Sequence, residues 1–316
     1  MKWIEVRAPG LLTTVQDLGR EGFGSLGVSA SGAADAVALR IGNRLVGNEE
    51  SAAALEMTLL GGTFYFPDGG VIALTGSDFC ARLDETPLAV WTSAAVKPEQ
   101  TLCVDATKSG ARCYLCVQGG IELKRLLGSA STHLLSGLGG VEGRALRKGD
   151  VLKVASPKQV FRTFRKRTVN GRTLEKLKPR RTLRVTDGPQ TDWFDEEAKR
   201  VFYGSAFRVT EESNRMGIRL EGARLSGSES GEMISEGVSL GAVQITAAGL
   251  PIVLFVEQQT TGGYPKLANV ISADMHSVGQ LRPRDEIRFE RVEIETALSL
   301  LAEQERLLSS KELIVE

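Results

Sequence analysis

Short apolar runs separated by glycine and polar turns dominate this chain. The N-terminus, Met1-Lys2-Trp3-Ile4-Glu5-Val6, alternates and predicts a strand over residues 2–7. Further strand-like runs lie at Gly62–Phe66, Val71–Leu74, Leu88–Thr92, Thr101–Val104 and Arg112–Val117. The second half adds Thr182–Thr186, the alternating Ser213–Gly222, the apolar Pro251–Val256 and a turn and strand over Leu281–Phe289. Helical periodicity is confined to three places. Val37, Ile41 and Leu45 follow Ser31, a candidate N-cap, and Asp35, placed in the first turn; Gly47-Asn48 ends that helix. Phe194, Ala198, Val201 and Phe202 form a second stripe, with Thr191 or Asp192 as cap. Ile294, Leu298, Leu301 and Leu308 form the seam of a C-terminal helix. The pattern predicts a mainly β protein with a few helices.

Residues 127–150 are punctuated by glycines and predict a long loop that ends in a closing strand. From Lys158 to Arg184 basic residues outnumber acidic ones heavily, and we place a domain boundary there. The division is 1–178, an N-terminal domain with the glycine-rich loop and basic linker, and 179–316, a C-terminal domain with the final helix. Glu56 to Leu74 also aligns without a gap on Glu236 to Leu254, matching Gly61 to Gly241 and Gly69 to Gly249. This echo suggests two β domains of one design, each sending a strand toward a ligand face. In the first half that strand is expected to stop at Thr75-Gly76-Ser77-Asp78.

The 316 residues suffice for two domains. Lysine plus arginine (39) equals aspartate plus glutamate (39), which argues against a nucleic-acid partner and against an anionic membrane surface. Apart from Phe161 and Phe164 the basic stretch lacks aromatics, so a solvated linker or edge is the expected reading. No apolar run approaches the roughly 20 residues of a membrane helix. The charged, alternating N-terminus does not read as a signal peptide, and a cytoplasmic protein is expected. Of four cysteines, Cys113 and Cys116 have CxxC spacing within a strand-like run, which sends them to opposite faces. No second pair completes a metal site, so no metal is expected.

Candidate chemistry gathers in Glu257-Gln258-Gln259-Thr260-Thr261-Gly262-Gly263-Tyr264-Pro265-Lys266. A buried strand ends at this loop. Gly262 and Gly263 admit close approach of a ligand to backbone N–H groups, Gln258, Thr260 and Thr261 donate and accept, and Lys266 supplies a point charge. Glu232, Glu236 and Gly237 precede the strands that feed it. In Ser213–Gly222, Arg215, Arg219 and Glu221 would share one strand face, either as surface pairs or as a carboxylate- or phosphate-binding fork. Gln16, Asp17 and Arg20 lie in an irregular polar segment that reads as a surface salt bridge or a site loop. Ser31 and Asp35 have a capping explanation and remain site candidates beside it.

Taken as a set, Thr14–Arg20, Ser31-Gly32-Ala33 with Asp35, Leu45–Asn48, Ser213–Gly222, Ser235–Gly237 and Gln259–Pro265 resemble the allophanate hydrolase subunit 2, or KipA-like, family. The resemblance covers almost the whole chain. The sequence departs from the family at Ala34, and at Arg284, where glycine is common. The family includes the C subunit of 5-oxoprolinase and part of the carboxyltransferase region of urea carboxylase. The resemblance implies two cyclophilin-like β-barrel domains, a KipI-like partner subunit and a third 5-oxoprolinase subunit. Together these would open 5-oxo-L-proline to L-glutamate with ATP hydrolysis. Two other functions stay open: a regulatory protein that antagonises a KipI-type histidine-kinase inhibitor, and a carboxyltransferase component of a biotin-dependent urea carboxylase.

Under the hydrolase reading, Arg215 or Arg219 would hold the substrate carboxylate. The Gly262 and Gly263 backbone with Lys266 would face an oxyanion or phosphate, and Glu236 and Tyr264 would move or orient a proton. No Ser/His/Asp arrangement is evident. The GxxxxGK[ST] motif is absent, so ATP is expected on other subunits or at a site that is not a P-loop. No Met-Lys-Met segment occurs, so biotin is not expected to be attached to this chain.

Overall fold

The computed structural model describes residues 2–157, 164–225 and 233–316. Glu232 and residues 158–163 of the basic stretch lie outside the described residues. The chain forms two compact units. One holds residues 1–20, 31–177 and 307–316; the other holds 21–30 and 178–306. The C-terminal residues therefore return to the first unit, where a single cut would have left them with the second. The reason is a strand pair: Ile314–Val315 runs antiparallel to Thr168–Val169, and Leu308 and Leu313 are buried there.

The first unit is built on one sheet of eleven strands. Its spine is Gly70–Leu83 paired with Gln100–Val117. The sequence predicts shorter strands here and a stop at Thr75–Asp78. Instead the strand continues, and the register shifts between Gly76 and Ala81 absorb the irregular residues as bulges. Leu12–Gln16 and Ala54–Thr58 are strands as well, paired with each other, although their polar residues hide the alternation. The strand near residue 90 starts at Thr92, later than predicted. Alternation along Gln100–Val117 separates two cores. Cys113, Leu115 and Val117 pack with Ile4, Phe64 and Ile72, whereas Tyr114 and Cys116 face Ala38, Ile41 and Leu45. The two thiols thus fall on opposite faces, as their spacing requires. Burial pushes the Cys113 thiol up to about 12 and raises Cys116 further, so both are inert fillers.

The helix Ala36–Leu45 is capped by Asp35, whose side chain accepts from the Ala38 amide at 2.8 Å. Ser31 is not the cap; it sits upstream of it at φ +55. The second predicted helix runs Glu196–Gly204 and is capped by Asp195, in place of Thr191 or Asp192.

The second unit contains a closed seven-stranded barrel. Around it run Thr182–Asp187, Lys266–Val270, Ala242–Ile245, Pro251–Leu254, Gly217–Glu221, Phe207–Val209 and Glu286–Arg291. Phe202 and Phe289 stack with centroids 4.5 Å apart, packing the helix Glu196–Gly204 on the strand Glu286–Arg291. The echoed glycines, Gly69 and Gly249, each turn the chain between consecutive strands. The pairing differs, however: Ala242–Ile245 pairs with Pro251–Leu254, while Thr63–Phe66 pairs with Gln100–Val117. On the helix Ile294–Ser309, Ala297 is buried with Leu300 and Leu301 beside it. Of the predicted seam, Leu301 and Leu308 face apolar neighbours, whereas Ile294 and Leu298 point to solvent. Among the described residues no helix is long and apolar enough to cross a membrane.

Arg284 sits at φ +73, in the left-handed region that suits glycine. Its guanidinium makes an exposed pair with Glu211 at 3.0 Å, which offsets little. Arg284→Gly is therefore expected to raise stability by about 0.5–1 kcal/mol, after the entropy of a flexible glycine is subtracted. A urea midpoint that falls would show that the backbone is not strained there.

Candidate functional site

The site is clearest in the second unit. Phe255-Val256-Glu257 leaves the strand Pro251–Leu254, and the chain is fastened where it turns. The Phe255 amide donates to the Met216 carbonyl and the Glu257 amide to the Arg215 carbonyl, at 2.9 and 2.8 Å. Arg215 Nε and Glu257 Oε1 form an ion pair, and both side chains are buried. Arg215 therefore anchors the loop. Arg219 lies outside on the strand Gly217–Glu221, exposed like Glu221. Of the two readings open for this ribbon, the two-arginine fork does not form, because Arg215 precedes that strand and its guanidinium turns inward.

Past the anchor, Gln258 donates to the Val238 carbonyl at 3.2 Å. Thr261-Gly262 pairs with Glu236-Gly237 as a two-stranded ribbon, with Glu236 opposite Gly262. Thr260 lies on the same ribbon, its carbonyl accepting from the Val238 amide at 3.1 Å. Gly263 is half-buried, Thr261 is exposed, and Tyr264 is exposed on the loop. The chain then enters the barrel at Lys266.

Lys266 is 2% exposed, yet its ammonium meets the Glu236 carboxylate, which is 43% exposed. Gln190 bridges the pair. Its Nε2 donates to Glu236 Oε1 at 2.8 Å, and its Oε1 accepts from the Lys266 amide at 3.1 Å. The Gln190 amide in turn donates to the Lys266 carbonyl at 3.2 Å. A buried cation is thus aimed at a partly open carboxylate, and both sides are held by one amide. Sequence reasoning points to neither Gln190 nor Gln244, the latter opposite Lys266 across the strand pair. A glutamine inside a barrel strand gives no periodic signal beyond its polarity.

The ammonium of Lys266, and then the Gln190 amide, hold the Glu236 carboxyl below its ordinary range. Glu236 is thus ionised at neutral pH and acts as a charge partner to Lys266 rather than as a proton donor. The folded pKa lies below the unfolded one. The stabilisation is therefore present above the ordinary value and is lost as pH falls through the depressed value. The difference in urea midpoint between wild type and Glu236→Gln should shrink as pH falls below the ordinary carboxyl value of 4.5. A difference independent of pH would remove this pairing.

The first unit holds Gln16, Arg20, Ser31 and Asp35. Gln16 Nε2 and Ser31 Oγ both donate to the Thr132 carbonyl, at 3.1 and 2.8 Å, and Arg20 Nη2 donates to the Ser131 carbonyl. Asp17 and Arg20 are buried, so they form no surface salt bridge, and Asp17 gathers the segment 129–131. It accepts from Ser129 Oγ at 2.6 Å, Ser131 Oγ at 2.5 Å and the amides of Gly19 and Ala130 at 2.8 and 2.7 Å. Glu56 similarly accepts from Tyr114 Oη and the Ala34 amide, at 2.7 and 2.8 Å. These groups clasp the segment 17–20 to 129–132 and seat the helix cap. Gln16, Arg20, Ser31 and Asp35 are all buried within the first unit. Among the described residues no group of three or more His, Cys, Asp or Glu could hold a metal ion.

Comparison with known proteins agrees with this architecture. Residues 26–291 match the family model "Carboxyltransferase domain, subdomain A and B". The chain is 39% identical to the C subunit of 5-oxoprolinase from Escherichia coli over 96% of both chains. It is 34% identical to urea amidolyase of Saccharomyces cerevisiae, covering 97% of this chain but only 18% of that protein. The crystal structure of Kluyveromyces lactis urea carboxylase superposes with a TM-score of 0.89 at 31% identity, over 99% of this chain and 30% of that one. The chain thus belongs to the carboxyltransferase domain family, subdomains A and B, and is homologous to the C subunit of 5-oxoprolinase and to the carboxyltransferase part of urea carboxylase.

Proposed function

We propose that this chain is the C subunit of an ATP-dependent 5-oxoprolinase, working with a KipI-like partner subunit and a third subunit. The observation that carries this is the buried Lys266 ammonium, aimed at a partly open carboxylate beneath a glycine-hinged loop. The near-complete coverage of both chains in the match to the 5-oxoprolinase C subunit supports the reading. In the net reaction the lactam C–N bond breaks, water adds to the carbonyl carbon, and the nitrogen leaves as the amine of glutamate. Negative charge develops on the former carbonyl oxygen. A fixed ammonium in a water-poor site stabilises that charge without reorganising. Glu236 pairs with the ammonium and Gln190 fastens Glu236, and Tyr264 is the candidate to orient or pass a proton from the exposed side of the loop. Arg215 acts through Glu257 by setting where the loop begins. ATP belongs on the other subunits in this reading, because one ammonium already paired with a carboxylate does not offset a triphosphate.

The second reading is carboxyl transfer, favoured by the match to urea carboxylase at a TM-score of 0.89. Under it the same ammonium would face a carboxyl group delivered by a biotinylated carrier. The test is to purify the chain with its natural partners and measure glutamate formation from 5-oxoproline and ATP. Turnover insensitive to avidin supports the hydrolase; turnover blocked by avidin supports the carboxyltransferase. A stable complex that turns over neither would favour the regulatory role.

A further inference from the structure

Gln244 is 1% exposed, and its Nε2 has no hydrogen-bond partner among the described residues. A buried amide N–H2 left unmatched costs free energy, and it persists in a native protein where something else completes it. Three surroundings indicate what that is. Lys266 lies directly opposite Gln244 in the strand register, where a bulge interrupts the ladder. Gly262 lies against the amide: a Cβ built there would sit 2.5 Å from Gln244 Nε2 and 2.8 Å from Gln259 Nε2. Glu236, opposite Gly262 on the ribbon, already accepts from both Lys266 and Gln190. Around the bare Cα of Gly262 there are thus two amide donors, with a buried ammonium across the strand pair, and Glu236 does not meet the Gln244 amide.

We infer that Gln244, with Gln259, forms a seat for the carboxylate of a small acid beside the Lys266 ammonium, and that Gly262 is glycine because a Cβ would displace the two amides that make the seat. A carboxylate offers about four lone-pair positions, enough to accept from both amides, and the Lys266 ammonium beside them is left to the lactam oxygen. This assigns recognition of the acid group to the barrel wall and releases Arg215 and Arg219 from that role. The inference rests on the reading of the Lys266 cluster as the site of 5-oxoproline turnover, and it names the part of the substrate held there.

The test uses the complex purified with its natural partners. Kinetic constants are measured with 5-oxoproline and with its uncharged carboxamide, for wild type, Gln244→Leu, Gln244→Glu and Lys266→Met. Loss of a hydrogen bond to a charged group predicts KM for 5-oxoproline about 10–100-fold higher in Gln244→Leu, with kcat little changed and the carboxamide hardly affected. Gln244→Glu, isosteric but negative, should discriminate against the acid more strongly than Gln244→Leu does. A merely structural role would move both substrates together. If Gln244→Leu does not fold, Gln244→Glu carries the test alone. Wild-type KM for the acid in Gln244→Glu, alongside a crippled Lys266→Met, would overturn this inference and spare the site. Full activity of Lys266→Met, or a wild-type complex without 5-oxoproline turnover, would overturn the parent reading and this inference with it.

Discussion

Lys266→Met is expected to lower kcat/KM of the assembled complex by about 10²–10³-fold, the usual effect of removing one preorganised oxyanion donor. Methionine keeps the length and apolar stem of lysine, so the barrel wall at the start of Lys266–Val270 should still fill. What is lost is the charge. Because Lys266 is 2% exposed, water does not replace the ammonium, and the full electrostatic effect should be felt at the reacting oxygen. Glu236 is then left without its cation, but at 43% exposure it can be solvated, which keeps the stability cost small. The expected signature is a large fall in kcat with nearly unchanged urea midpoint and intact assembly with the partners. Lys266→Arg should recover part of the rate, since the charge is retained in a bulkier head. Unaltered turnover in Lys266→Met would place the chemistry elsewhere.

How much of this is legible from the amino acids differs between the two units. The loop from Glu257 to Lys266 stands out because polar residues and glycines follow an apolar strand abruptly, and the structure gathers Lys266, Glu236 and Gly262 there. The arginine fork fails because it extends the alternation back to residue 215. The strand itself begins at Gly217, and a buried carboxylate 42 residues along the chain draws Arg215 inward. Such a pairing has no local trace. In the first unit the polar Leu12–Gln16 is not recognisable as a strand. Thr13, Thr14 and Gln16 are buried against other polar groups, so hydrophobicity does not alternate. Asp17 lies in plain view, yet its partners Ser129 and Ser131 are more than a hundred residues away. Bulged strands such as Gly70–Leu83 read as several pieces, since each register shift resets the period.

Glu257→Ala is expected to destabilise the second unit by about 3–5 kcal/mol, the cost of leaving a buried guanidinium uncompensated. Arg215 and Glu257 are 6% and 3% exposed, so neither charge can recover hydration without opening the fold. Arg215→Ala should be comparably damaging, because it strands the carboxylate instead. The double replacement Arg215→Leu with Glu257→Leu is expected to cost less than the two single changes added together, since no lone charge remains and the coupled pair is removed at once. The two backbone hydrogen bonds beside the pair, Phe255 to Met216 and Glu257 to Arg215, should survive in the double variant. The loop would then still leave the barrel at the same point, and turnover of the complex should fall less than in either single variant. Urea unfolding at neutral pH measures the stability differences, and the glutamate assay measures the loop. Costs in the single variants that sum to that of the double would mean the two side chains act independently, and the anchor beneath Lys266 would have to be sought in the backbone alone.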